Sequence, residues 1–235
     1  MIESLCSNIL SKCDPKSTSA FISKTNLKNR IYLIDTEGPK LIAWNLSSAA
    51  NDGKSLSYWD FSDYQHSFLS GTDIYGPRPL QIYPALYPVG KDRFAVAIVN
   101  SVNEAYSGGG AEFNIADFVV LEDEQDESEN IDQHQALYSS VPFSCSKMIR
   151  ACFSEHDRKT LRSCHDVFEG HLSIQYPPLG QPGSLWKFIW NESIRPSNAK
   201  EEETHINFSM PRNRGMTKWN KLPRNVSFCG GAAVF

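Results

Sequence analysis

Five side chains of the kind that bind metal ions occur within one short stretch of this sequence, namely Cys145, Cys152, His156, Cys164 and His165. Zinc needs four thiolate or imidazole ligands that converge tetrahedrally, and this stretch supplies five. Zinc motifs usually place two ligands two to four residues apart so that one turn presents both, and the three cysteines are not spaced in this way. We therefore expect buried, reduced cysteines here, with no metal and no other cofactor.

A second group of side chains could support acid–base chemistry. His165, Glu169 and His171 would form a carboxylate–imidazole set if they converged near the start of a strand. The sequence offers no partner nucleophile for them, and polar surface residues explain the pattern equally well. An enzyme would therefore need a site assembled from residues scattered along the chain, such as a hydrolase site, and the sequence favours a non-enzymatic protein.

A glycine-rich loop, Ser107 to Gly110, follows a predicted strand, where a phosphate-cradling or oxyanion loop could lie. The chain has no Gly-x-Ser-x-Gly elbow, and this loop lacks the Gly-Lys-Ser/Thr ending of a phosphate-binding loop. We interpret it as an ordinary hairpin connection.

The most asymmetric charge distribution lies near the end of the sequence. No acidic side chain follows Glu203, and a basic segment over residues 211–224 places cations around one tryptophan. Such a segment suits an acidic protein partner, including this chain's own acidic loop 122–132, or a nucleic-acid backbone with a stacked base; a solvated loop without a partner is the remaining alternative. The predicted partner-binding residues are Arg212, Arg214, Lys218, Trp219, Lys221 and Arg224.

Location is predicted from the N-terminal residues and the cysteines. The first residues lack the basic region and the unbroken apolar stretch of a signal peptide, and no window is apolar enough to span a bilayer. Six dispersed cysteines favour reduced thiols. We therefore expect a cytoplasmic or nuclear protein without membrane contact, and we interpret four glycosylation sequons as chance occurrences: Asn45, Asn191, Asn207 and Asn225.

The elements that must position these residues are mainly strands. Residues 1–29 are predicted to hold a short amphipathic helix, ending at Asp14-Pro15, and then a polar linker. Residues 30–235 are predicted to form one β-rich domain of antiparallel hairpins, either a sandwich or part of a propeller. Its hairpins are expected from three pairs of apolar runs: 31–34 with 41–44, 94–99 with 118–121, and 171–176 with 185–190. A short helix is expected within 147–162.

The first of these hairpins resembles the middle of a WD-type β-propeller blade. The segment 29–35 followed by 40–46 has a strand, a turn and a strand closing in Trp44-Asn45, and Trp59-Asp60 is the literal dipeptide. The resemblance covers about a fifth of the chain, and its later units lie at wider intervals than the regular period of that family. It implies a few degenerate blades.

These features predict a non-enzymatic module that binds a protein partner through its charged loops. The net charge of −4 argues against a dedicated nucleic-acid protein, although the basic segment keeps nucleic-acid binding as an alternative. The other alternative is the hydrolase-like enzyme with a scattered site.

Overall fold

The computed structural model describes residues 16, 18–21, 30–35, 38–45, 56–66, 79–90, 93–121, 135–177, 185–208 and 229. Within them the fold is mainly β, with antiparallel sheets and one short helix, which confirms the predicted fold class. The strands are β1 Thr18–Phe21, β2 Arg30–Asp35, β3 Lys40–Asn45, β4 Leu56–Asp60, β5 Gln81–Ile82, β6 Tyr87–Gly90, β7 Arg93–Tyr106, β8 Gly109–Val120, β9 Ala136–Arg150, β10 His165–Gln175, β11 Lys187–Arg195 and β12 Glu202–Phe208. The helix, α1, is Glu155–Thr160.

The chain forms two compact units. Unit 1 comprises 1–66, 79–99 and 117–137, and unit 2 comprises 67–78, 100–116 and 138–235. A four-stranded sheet has the order β1-β2-β3-β4, and an eight-stranded sheet has the order β12-β11-β10-β9-β8-β7-β5, with β6 also paired to β7. Residues 30–99 and 117–137 of the predicted β-rich domain fall mainly in unit 1, and most of the remainder falls in unit 2.

The four-stranded sheet in unit 1 is covered on both faces. Tyr32 and Ile34 of β2 belong to the main core, whereas the intervening Leu33 packs in a second cluster with Ile42 of β3. Apolar residues at consecutive positions predict this arrangement, because successive strand residues point to opposite faces. The hairpin formed by β2 and β3 is confirmed, with Asp35 opposite Lys40.

One strand lies where a linker was predicted. Thr18–Phe21 forms β1 and pairs antiparallel with β2, and the Phe21 ring stacks on Tyr32 with centroids 5.3 Å apart. The sequence does not announce this strand, because Phe21 is its single large apolar residue.

Unit 1 also buries a polar network beside its apolar core. The Tyr64 hydroxyl donates to Asp117 Oδ2 at 2.8 Å, while His66 Nε2 lies 3.8 Å from Asp117 Oδ1 and 3.1 Å from the carbonyl oxygen of Ile98. Asp117 and His66 are buried. Burial, together with the neighbouring Asp117, raises the pKa of Tyr64, so its hydroxyl remains a hydrogen-bond donor at physiological pH.

Unit 2 is organised around aromatic side chains. Tyr138 of β9 lies with its ring centroid 5.1 Å from those of both Trp186 and Phe188, and its hydroxyl accepts a hydrogen bond from the backbone N–H of Trp186 at 3.1 Å. Phe188 stacks on Phe208 of β12 at 5.5 Å. The pairing of β10 with β11, with Leu172 opposite Trp190, confirms the third predicted hairpin.

Several predicted segments lie outside the described residues: the N-terminal helix before Asp14, the acidic loop 122–132 and the basic segment 211–224. The helix predicted within 147–162 is present but shorter, because β9 continues to Arg150, opposite His165 of β10. With six residues, α1 is far too short to span a bilayer, and it is the sole helix in the described ranges.

Candidate protein-interaction surface

The cysteines of unit 2 are joined in disulfides, so the prediction of reduced thiols is wrong. Cys145 bonds to Cys229 with Cα atoms 6.3 Å apart, and Cys152 bonds to Cys164 with Cα atoms 4.8 Å apart. Sulfurs that are bonded to each other cannot serve as thiolate ligands. In the part of the chain that the structure describes, no group of three or more His, Cys, Asp or Glu side chains is placed to hold a metal ion.

The bond between Cys152 and Cys164 closes the connection from β9 to β10, and we call residues 150–164 the disulfide loop. Its base is reinforced by the Ala151 N–H, which donates to the Cys164 carbonyl at 2.8 Å. The covalent and hydrogen-bonded closure leaves α1 and its flanking residues few conformations. The loop is therefore a structured projection from the sheet.

A capping box fixes the start of α1 inside this loop. The Ser154 hydroxyl accepts from the Asp157 N–H at 3.1 Å, and Asp157 Oδ2 accepts from the N–H groups of Phe153 at 2.9 Å and Ser154 at 2.8 Å. These hydrogen bonds hold the pKa of Asp157 below its ordinary value. Because folding lowers that pKa, the stabilisation is complete above the ordinary aspartate pKa and is lost as the pH falls through the lowered one.

The most exposed large apolar side chain among the described residues is held in this loop. Phe153 is 75% exposed, and the Arg150 guanidinium lies over its ring at 5.4 Å from the centroid. Arg150 Nε also donates to the Cys152 carbonyl at 2.7 Å. The Phe153 backbone is fixed by Asp157 and its ring is supported by Arg150, so an apolar group is presented to solvent in a defined position.

The glycine-rich turn between β7 and β8 supports the same region. Gly108 has a φ of +87°, and a Cβ added there would lie 2.8 Å from the Cβ of Arg150. A Cβ on Gly109 would collide with the Met148 carbonyl oxygen. The turn therefore needs glycine for its conformation and for close packing against β9, which agrees with the predicted hairpin connection.

Tyr106 extends the exposed surface at this end of the sheet. Its hydroxyl donates to the Met148 carbonyl at 3.0 Å, and both side chains are exposed. We call Tyr106, Met148, Arg150 and Phe153 the aromatic tip surface. Aromatic residues, methionine and arginine are the types enriched in protein–protein interfaces.

The disulfide loop is basic although the whole chain is acidic. It carries four cationic side chains, Arg150, Arg158, Lys159 and Arg162, and two acidic ones, Glu155 and Asp157, a net charge of +2 against −4 for the chain. The loop therefore combines an exposed aromatic ring with a net positive charge.

The structure separates the predicted acid–base group. His165, Glu169 and His171 share one face of β10, but the two histidines are six residues apart, which is about 20 Å along a strand. Glu169 pairs with Arg195 at 2.9 Å, and both side chains are about half exposed. The three side chains therefore do not converge.

The six partner-binding residues predicted in segment 211–224 lie outside the described residues, so the structure gives them no geometry. Sequence reasoning missed Phe153, because a short helix was expected within 147–162 and its apolar residues gave no sign of which would be exposed. A Ser-x-x-Asp start signal, Ser154 to Asp157, was the available clue that the helix begins after Phe153.

Replacing Ser154 with alanine should loosen the loop without opening its disulfide. Losing an N-cap costs about 1 kcal/mol, so amide hydrogen exchange in α1 should accelerate about fivefold. Exchange can be followed residue by residue by NMR, with Ser19→Ala as the control, since Ser19 is an exposed serine of β1 in unit 1. Unchanged exchange in α1 of the Ser154 variant would show that the capping box does not hold the loop.

Comparison with protein-family models, with curated proteins and with solved structures finds no match to this chain.

Proposed function

We propose that this protein is a non-enzymatic interaction module that binds an acidic segment of a protein partner through the aromatic tip surface. The observation that carries the proposal is Phe153, an apolar ring held in solvent at 75% exposure by Arg150 and by the cap of α1. Exposing such a ring is unfavourable in an isolated protein, and fixing it beforehand lowers the entropy lost on binding.

The charge of the disulfide loop supports the choice of partner. An acidic segment would meet Arg150 over the ring and the net positive charge of the disulfide loop, which would raise the association rate and disfavour basic partner sequences. We propose the basic segment 211–224 as a second contact to the same acidic partner, because it carries the same sign of charge. Arginine is one of the residue types enriched at energetic centres of interfaces, and Arg150 lies over the Phe153 ring.

The WD-type resemblance remains a proposal limited to unit 1. Support comes from the antiparallel order β1-β2-β3-β4, because a propeller blade is also a four-stranded sheet. An interaction role is common in that family, so the resemblance and the aromatic tip surface favour the same class of function.

The proposal is tested by replacing Phe153 with alanine in the full chain. A partner is first captured with the wild-type protein, identified by mass spectrometry and then titrated against purified variants. If Phe153 anchors the interface, the Kd should rise at least about 30-fold, corresponding to the loss of about 2 kcal/mol expected at an energetic centre. Arg150→Glu should weaken binding further and make it less sensitive to salt.

Leu185→Ala is the matched control, since Leu185 is also an exposed apolar side chain of unit 2, at 47%, but lies outside the disulfide loop. Its Kd should equal that of the wild type. A partner that binds the Phe153 and Leu185 variants equally well would exclude the aromatic tip surface as the binding site, and a ligand that proves to be nucleic acid would contradict the proposed partner class.

A further inference from the structure

Two of the four glycosylation sequons have acceptor side chains that the structure describes, and it places them differently. Asn191 lies on β11, which is flanked by β10 and β12, whereas Asn207 lies on β12, the terminal strand of the described sheet. The side chains of Asn45 and Asn225 lie outside the description. Because their surroundings differ, Asn191 and Asn207 can differ in whether they accept a glycan.

The amide of Asn191 is already used within the sheet. Its Nδ2 donates to the Ser173 hydroxyl at 2.8 Å and also lies 3.3 Å from the His171 carbonyl and 3.4 Å from the Ile189 carbonyl. Its Oδ1 lies 2.9 Å from Nδ1 of His205 on the next strand. A sugar attached to Nδ2 would displace these contacts, so this acceptor is poorly suited to modification.

Asn207 has the opposite environment. Its side chain is exposed, opposite Ile189 across the β11–β12 pair. The next residue, Phe208, points to the other face, where it is buried and stacks on Phe188. The strand is therefore anchored by Phe208, while the exposed side chain of Asn207 lies on the opposite face and can carry a sugar without disturbing the core.

The disulfides indicate the compartment in which a sequon would be glycosylated. Stable disulfides form in the secretory pathway and are rare in the cytosol. The bond between Cys145 and Cys229 lies in a buried, hydrogen-bonded environment. Glu192 Oε2 accepts hydrogen bonds from the Cys229 N–H and from Trp190 Nε1, both at 2.9 Å, and all these side chains are buried. Gly170 provides the space beside Cys145 Sγ, which would be only 2.8 Å from an added Cβ.

We propose that Asn207 carries an N-linked glycan, added in the oxidising compartment in which both disulfides form, and that Asn191 does not. This assignment replaces the expected cytoplasmic or nuclear location, and it replaces the interpretation of the Asn207-Phe208-Ser209 sequon as a chance occurrence. It is independent of the proposed interaction function, since Asn207 is not part of the aromatic tip surface.

The test uses the full chain purified from the cells that produce it, with thiols trapped by N-ethylmaleimide during lysis. Peptide N-glycosidase treatment in heavy-oxygen water converts a glycosylated asparagine to labelled aspartate, which mass spectrometry assigns to a residue. We expect the label at position 207, an unlabelled Asn191, and Cys152 joined to Cys164 without alkylation. Full label at Asn191, an unmodified Asn207 or alkylated cysteines would each overturn the proposal.

Two variants of the full chain, expressed in the same cells, check the assignment. Asn207→Gln removes the acceptor, and Ser209→Ala keeps the asparagine but destroys the sequon, so both should lose the same glycosidase-sensitive shift on a gel. Loss in only the first variant would contradict N-linked modification. Disulfide mapping of each variant shows that it has folded, because the bond between Cys145 and Cys229 requires the native pairing.

Discussion

Replacing Cys145 and Cys229 together with alanine is expected to lower the free energy of unfolding by about 4.5 kcal/mol, since this bond closes the longest covalent loop in the described fold. The two residues are separated by 84 positions, and the chain entropy released in the unfolded state grows with that length. Both side chains are buried, so the variant also loses packing around Trp190. The loss can be measured by urea denaturation under non-reducing conditions.

The bond between Cys152 and Cys164 provides the matched control for this prediction. With a separation of 12 positions, the same relation gives about 3 kcal/mol for the double alanine variant. The Cys145–Cys229 variant should therefore unfold at the lower urea concentration. Equal midpoints for the two variants, or no change from the wild type in either, would contradict the disulfide pairing described here.

Replacing Gly170 with alanine is expected to destabilise unit 2 by about 3 kcal/mol, the upper part of the range for overpacking a core. An added Cβ would collide with the six-membered ring of Trp190 and would lie 2.8 Å from Cys145 Sγ. Neither neighbour can move easily, because Trp190 donates to buried Glu192 and Cys145 is covalently bound to Cys229. Thermal unfolding followed by tryptophan fluorescence measures the effect.

Gly90→Ala is the control, since Gly90 is also a strand residue but its added Cβ would be 4.0 Å from the nearest atom, in Arg93. That variant should change stability by no more than about 0.5 kcal/mol, because ordinary contact replaces open space and the unfolded chain becomes less flexible. If Gly170→Ala is as stable as Gly90→Ala, the close approach of Trp190 to β10 is wrong.

The sheet structure could be predicted from the sequence because its signals are local. Apolar residues at consecutive positions in 31–34 and 41–44, with a turn between them, predict both the hairpin and its burial on two faces. The same holds for the run 171–176 before Pro177-Pro178 and its partner 185–190. In each case the turn residues and the strand residues lie within one short window, so no long-range information is needed.

The candidate site could not be predicted in this way. Which cysteines meet depends on tertiary structure: the Cys152–Cys164 bond that closes the disulfide loop needs the pairing of β9 with β10, and Cys145 and Cys229 lie 84 positions apart. The exposure of Phe153 depends on where β9 ends and α1 begins. Strand β9 ends at Arg150, which pairs with His165, the first residue of β10. The helix expected within 147–162 did not locate that boundary, and amphipathic spacing does not show whether a partner element covers an apolar residue.

The buried network of Tyr64, Asp117 and His66 has a consequence for how the chain selects one alignment of its strands during folding. A shift of β8 by one residue would exchange Asp117 for Ala116 or Phe118, and the partly buried Tyr64 hydroxyl would then lose its acceptor. A hydroxyl that loses its partner away from water costs about 1–3 kcal/mol, which disfavours the shifted pairing. The network therefore contributes less to the depth of the native energy minimum than to the gap that separates it from misaligned alternatives.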